Sequence, residues 1–213
     1  MTARKQETMN IKIRGQQIEQ VTEFKYLGVT IENNGSQGAD IEERIEKTLK
    51  TYHAMRGSFI RKREISKDTK MTIYRTIYRS ILTFGCESWV LNKRLESKLQ
   101  ALEMKYLRGV KGVTRMDKLR NADIREELGS EALLDFVKKR QLSWWGHLQR
   151  MQEGRQVKEI WRTRVIMRRD RGRPGESWDS AVAKILQRRG KTILEAEALA
   201  TDRRQWAEFV QSK

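Results

Sequence analysis

Few side chains in this 213-residue chain could make or break bonds. There is one cysteine, Cys86, and there are two histidines, His53 and His147. That set excludes an internal disulfide and any multi-thiolate zinc site, and it suits a reducing compartment. No glycine-rich phosphate loop of the P-loop or dinucleotide type occurs. A Ser/His/acid triad has no nucleophile elbow to support it. His147, in Trp144-Trp145-Gly146-His147, reads better as a packed helix-face histidine than as a catalyst, and His53 reads no differently. Cys86, between Phe84 and Trp89, reads as a small buried hydrophobe. Two-metal nucleotidyl transfer needs clustered carboxylates, and the chain has no Asp-Asp pair. Glu42-Glu43 and Glu126-Glu127 fall early in predicted helices, where acids suit the helix dipole. The expectation is a chain without a catalytic group or metal site of its own.

Positive charge is abundant instead. Lys and Arg number 45 against 28 Asp and Glu, a net charge of +17. A field of that sign favours polyanions, nucleic acid before an anionic membrane. No apolar run approaches the length of a spanning helix, and no signal peptide or lipidation motif is present. The expected location is therefore intracellular, in nucleus or cytoplasm. Between Lys138 and Arg173 there are twelve Lys or Arg against three acids, hence +9 within one sixth of the chain. The residues expected to meet phosphates are Lys138, Lys139, Arg140, Arg155, Lys158, Arg162, Arg164, Arg168, Arg169, Arg171 and Arg173. Arginine dominates the densest part, and its planar fork suits bidentate phosphate contacts. Acids that would neutralise the run are missing within it, which favours an exposed basic surface over a paired one. Trp144, Trp145 and Trp161 lie among these charges. An exposed ring there could stack on a base, but the apolar stripes favour burial for all three.

The elements that carry these residues are mainly helical. Ile11 and Ile13 alternate with polar residues before Gly15, and Phe24 to Ile31 is aromatic and β-branched, so two or three short strands are expected at the N-terminus. Asp40 with Glu43 has the spacing of a capping box, followed by a stripe of Ile41, Ile45, Leu49, Tyr52 and Phe59. Ser66 and Asn92 are positioned to cap two further helices, with stripes Tyr74, Ile77, Tyr78, Ile81, Leu82 and Leu95, Leu99, Leu102, Tyr106. Gly109 and Gly112 are read as the end of the second of these. A short helix from Asn121 to Leu128 stops at Gly129, and Ser130 is read as the cap of a longer one bearing Leu134, Val137, Trp144, Trp145 and Leu148. Gly172-Arg173-Pro174-Gly175 is a break, with helices at Trp178 to Leu186 and around Trp206 to Val210 beyond it.

From Phe24-Lys25-Tyr26-Leu27-Gly28 onward the chain resembles the C-terminal part of a non-LTR (LINE-type) retrotransposon reverse transcriptase. The similarity runs in order through Ile73-Tyr74-Arg75-Thr76, Ile81 to Trp89, Leu102 to Arg108, Arg140 to His147, Arg171-Gly172-Arg173-Pro174 and Asp202-Arg203-Arg204-Gln205-Trp206. The resemblance implies a layout: a palm remnant with a primer-grip-like hairpin over 1–35, a thumb-like helical bundle over 36–112, and a basic helical C-terminal region over 113–213. It implies that Lys25, Tyr26, Leu27 and Gly28 occupy the primer-grip hairpin, with Gly28 allowing close backbone approach. The family's catalytic aspartates lie upstream of the matching region and have no counterpart here. Mg²⁺ is therefore expected only for an intact parent polymerase, and no cofactor for this chain. One cysteine cannot form the zinc knuckle of some members.

The expected function is that of a nucleic-acid-binding fragment, inactive as a polymerase alone, with RNA or DNA as partner and no membrane. Ala replacements at Arg164, Arg168, Arg169 and Arg171 are expected to weaken binding regardless of sequence and to flatten its salt dependence. The N-terminal strands, cut from a larger sheet, are expected to expose edges and to favour association. The alternatives are a helical scaffold with a changed partner, and a non-functional relic of a transposable element.

Overall fold

A computed structural model describes residues 10–33, 35–163 and 176–212. The architecture is mainly α with short antiparallel strand pairs at the N-terminus, as the patterning predicts. The chain divides into two compact units, Met1–Glu43 and Arg44–Lys213.

In the first unit, β1 (Lys12–Ile13) pairs with β2 (Gln16–Gln17), and β3 (Glu23–Tyr26) pairs with β4 (Val29–Glu32). The second pair has Phe24 opposite Ile31 and Tyr26 opposite Val29. The aromatic and β-branched stretch from Phe24 to Ile31 is thus a hairpin that turns at Leu27-Gly28. Each hairpin turns on two residues with positive φ, Arg14 and Gly15 (51° and 82°) and Leu27 and Gly28 (47° and 83°). That is the type I′ geometry whose twist matches the flanking strands. Helix α1 (Gly38–Met55) starts in this unit. Asp40 and Glu43 do not form a capping box. The Asp40 carboxylate accepts from the Thr30 amide at 3.1 Å, and Glu43 accepts from the Thr30 hydroxyl at 2.8 Å and from Lys25. The Ala39 amide donates instead to Glu32, at 2.9 Å.

The second unit is helical. A π-helical turn at Arg56–Ile60 extends α1, and α2 (Lys67–Ile73) runs through a second π turn, Tyr74–Tyr78, into α3 (Arg79–Leu82). Then come α4 (Lys93–Lys111), α5 (Asn121–Glu127), α6 (Leu133–Arg150), α7 (Gln156–Arg162), α8 (Trp178–Arg188), α9 (Ile193–Ala200) and α10 (Arg203–Gln211). Ser66 and Asn92 cap α2 and α4 as expected, accepting from the Thr69 and Leu95 amides. Gly112 closes α4 in the left-handed region. Gly109 is no stop: it lies inside α4, where an added Cβ would stand 2.9 Å from Ile60 Cγ2. Its bare backbone lets α4 approach the π turn.

Two cores result. Tyr52, Tyr74, Tyr78 and Tyr106 stack in one, with neighbouring ring centroids 4.6 to 6.5 Å apart. The other joins Leu142 and Trp145 of α6 to Val182, Leu186, Ala196, Ala200, Trp206 and Val210 of α8 to α10. Helix α6 borders both regions, packing on α4 at one side and on α8, α9 and α10 at the other. Its N-cap is Ala132, not Ser130, and Ala132 has no side-chain acceptor to offer. The buried carboxylate of Glu103 on α4 supplies it, accepting from the Leu133 amide at 2.9 Å and from Arg125 through Nε (3.1 Å) and Nη2 (2.6 Å). Among the described residues no helix is long and apolar enough to cross a membrane.

Candidate nucleic-acid interface

The expected basic surface is only partly free. On α6, Lys138 bonds Asp135 (2.8 Å), Lys139 pairs with Glu131 (3.1 Å), and Arg140 clasps Glu87 through Nε (2.9 Å) and Nη2. Glu87 and Glu131 lie outside the basic run in sequence, so folding brings in acids that the run itself lacks. Lys158 is buried, and its ammonium donates to the carbonyls of Met151 (2.6 Å) and Gln149 (3.4 Å) and pairs with Glu153 (2.7 Å). It serves the C-terminal end of α6, where cations suit the dipole. Arg162 also pairs with Glu153. Arg155 is exposed, and its guanidinium has no ion-pair partner among the described residues. Arg164, Arg168, Arg169, Arg171 and Arg173 lie outside the described residues.

The tryptophans divide. Trp145 is buried against Trp206, with centroids 5.2 Å apart. Trp144 is half-buried beside the exposed His147 (5.4 Å), and Trp161 is half-buried with its Nε1 donating to Asp179 at 2.8 Å. Cys86 is buried, and burial pushes its thiol up to about 12, which leaves it protonated and inert at neutral pH.

In the hairpin, Lys25 is paired with Glu43, and the Tyr26 and Leu27 side chains are exposed. Gly28 answers the turn's positive φ. A Cβ there would meet nothing of this chain within 4 Å.

The feature that sequence reading missed is a cleft of about 930 Å³ in the helical unit. One wall comes from the end of α1 and the π turn, the other from the C-terminal half of α4 and residues 112–115. Among the described residues, eight Lys or Arg line it and no Asp or Glu does. Some of these cations have internal duties. Lys70 donates to the Lys62 carbonyl (2.7 Å), Lys111 binds Glu127, and Arg108 Nη2 donates to Asn121 (2.8 Å) and the Leu119 carbonyl (3.3 Å). Arg108 and Lys111 also suit the C-terminal end of α4 electrostatically. Lys105 lies 3.2 Å from His53 Nε2 and above the Tyr52 ring. Arg56, Arg61, Arg63 and Arg115 are different: all four are exposed, and among the described residues none has an ion-pair partner. Structure accounts for the first group and leaves the second without a job. The Arg61-Lys62-Arg63 triplet was visible in the sequence, but nothing there joins it to Arg115, 52 positions later (115 − 63).

No family model matches the chain, and no solved structure matches it. Over 204 residues it is 28% identical to a Caenorhabditis elegans protein named as an uncharacterized transposon-derived protein. The aligned region is 89% of this chain and 70% of that one.

Proposed function

We propose that the chain descends from a transposable element and binds the phosphate backbone of nucleic acid, as a thumb and C-terminal piece of a non-LTR reverse transcriptase without polymerase activity of its own. The observation that carries this reading is the cleft, lined among the described residues by eight cations and no acid, with four exposed guanidinium groups that have no ion-pair partner among those residues. Like charges held together repel. A polyanion removes that repulsion and releases its own condensed counterions on binding. The similarity to a transposon-derived protein and the ordered motifs of the sequence support the lineage. RNA or DNA is the partner, no cofactor takes part, and the exposed strands of the N-terminal unit are a surface for association.

The test is fluorescence anisotropy of the full chain with labelled single-stranded RNA, single-stranded DNA and duplex DNA over a salt series. The R56A/R61A/R63A/R115A variant should weaken binding at all sequences. Its slope of log affinity against log salt should fall by about 0.7 per lost contact on a single strand, hence roughly 3 in all. An unchanged slope would move the interface elsewhere, and the arginines at 164, 168, 169 and 171 would be replaced next. A folded chain that binds none of the three at low salt would leave the helical-scaffold alternative.

A further inference from the structure

The cleft has a rim and a floor of different chemistry. Arg56, Arg61, Arg63 and Arg115 are exposed, whereas the buried lining is mostly apolar: Tyr52, Ile60, Leu102, Met104 and Val110, beside Lys70, whose ammonium is turned to the Lys62 carbonyl. A surface evolved only to follow a backbone needs cations and no apolar recess. The volume, about 930 Å³, lies in the range of sites that enclose small ligands, roughly 300 to 1,000 Å³. We propose that this cleft takes an unpaired nucleotide, with its base against the apolar floor and the flanking phosphates on the arginine rim. This rests on the nucleic-acid reading and makes it specific.

A duplex fits the arrangement poorly. Its bases are paired and stacked inward, so bringing one to the floor costs a few kcal/mol of unstacking. A single strand has already met that cost. Every base has an apolar π-face, so such a floor tolerates any sequence. Met104 adds a polarizable thioether, which packs well against rings. The guanidinium groups on the rim can bind phosphates on either side of the inserted base, in bidentate fashion. Trp144 and Trp161, for which the sequence favoured burial over base stacking, are both half-buried. Trp161 is tied to Asp179, and neither lines this cleft.

The experiment compares three ligands on the full chain at one physiological salt concentration: a twelve-nucleotide single strand, its duplex, and a wholly abasic strand of the same length and charge. The expected result is binding of the intact strand at least tenfold tighter than of the duplex or the abasic strand. A second measurement locates the base. A strand carrying 5-iodouracil is photo-crosslinked, and the modified peptide is identified by mass spectrometry. Attachment at Tyr52 or Met104 is expected. Equal binding of the intact and abasic strands, or tighter binding of the duplex, overturns the nucleotide cleft while leaving backbone binding in place. Crosslinks at Trp144 or Trp161 overturn it too, by placing the base on α6 or α7. No binding of any ligand fails the broader reading instead.

Discussion

Replacing Glu103 with Ala should cost the helical unit far more than a typical substitution. The side chain is fully buried, and it holds three elements together: α4 that carries it, α5 through Arg125, and α6 through the Leu133 amide. Ala removes the carboxylate and leaves two groups stranded. Arg125 is itself only 16% exposed, so its charge loses its partner in a place that water reaches poorly. Breaking a buried pair from one side typically costs about 3 to 5 kcal/mol. The lost helix cap costs about 1 kcal/mol. The two share the same carboxylate and do not simply add, so about 4 kcal/mol is the expected loss. For a chain of this size, 1 kcal/mol shifts Tm by roughly 2 to 4 °C, giving a fall of about 12 °C. Urea unfolding followed by tryptophan fluorescence measures the same quantity, because Trp145, Trp206 and Trp89 are all buried in this unit. The double-mutant cycle with Arg125→Ala is the sharper assay. Each single variant strands a charge that the double variant does not, so the double should be less destabilised than the sum by about 2 kcal/mol or more. A loss below 1 kcal/mol for Glu103→Ala, or strict additivity, would refute the shared-carboxylate account.

Other outcomes follow from the same geometry. Gly146→Ala places a methyl 2.0 Å from Trp206 Nε1, whose ring is fixed by its bond to the Leu142 carbonyl. Helix α10 must shift, and thermal unfolding should show a loss of about 3 kcal/mol or more. Cys86 should resist iodoacetamide in the native chain and react fully in urea, because burial holds its thiol at about 12; native labelling at an ordinary thiol rate would contradict this. The Asp202 carboxylate is held below its usual range by the Gln205 and Arg204 amides at the start of α10. A depressed folded value means that its contribution is complete above the unfolded pKa and is lost as pH falls through the folded one. Asp202→Ala should therefore lower Tm at neutral pH and flatten the acid side of the stability profile, as read by circular dichroism between neutral pH and pH 2.

How much of this was legible in the sequence depends on the distance over which each interaction acts. Local devices were readable. Ser66 and Asn92 reach amides three residues on, Gly112 closes α4 by its own backbone freedom, and the apolar stripes of α4 and α8 place their core residues correctly. Helix α9 was equally local and was overlooked. Thr192 and Glu195 form a capping box, but the helix that follows buries only Ala196 and Ala200 and leaves Ile193 and Leu194 exposed, so its stripe is faint. Devices spanning distant segments left no such trace. Nothing near Ala132 announces that its helix is capped from Glu103, 30 residues before the amide that it accepts from. Nothing near Arg140 announces Glu87, 53 residues away.

The same distinction separates the predicted basic surface from the basic cleft of the structure. A run of cations in sequence is not a measure of free charge in the fold. Two unit charges at 4 Å interact by about 4 kcal/mol near a protein surface, so folding brings acids to cations wherever the topology offers them. On α6 it does, at Lys138, Lys139 and Arg140, and the local field there is largely cancelled. In the cleft it does not, although Glu46, Glu64 and Glu103 lie within or beside the segments that form its walls; none of these acids lines the cleft, and Glu103 is committed to Arg125. Residual charge is set by which acids are turned away, and that is a property of three-dimensional placement. If the proposed phosphate binding holds, Arg61, Arg63 and Arg115 should contribute more to it than the equally basic Lys139 and Arg140, because among the described residues no acid is paired with them and would have to be displaced.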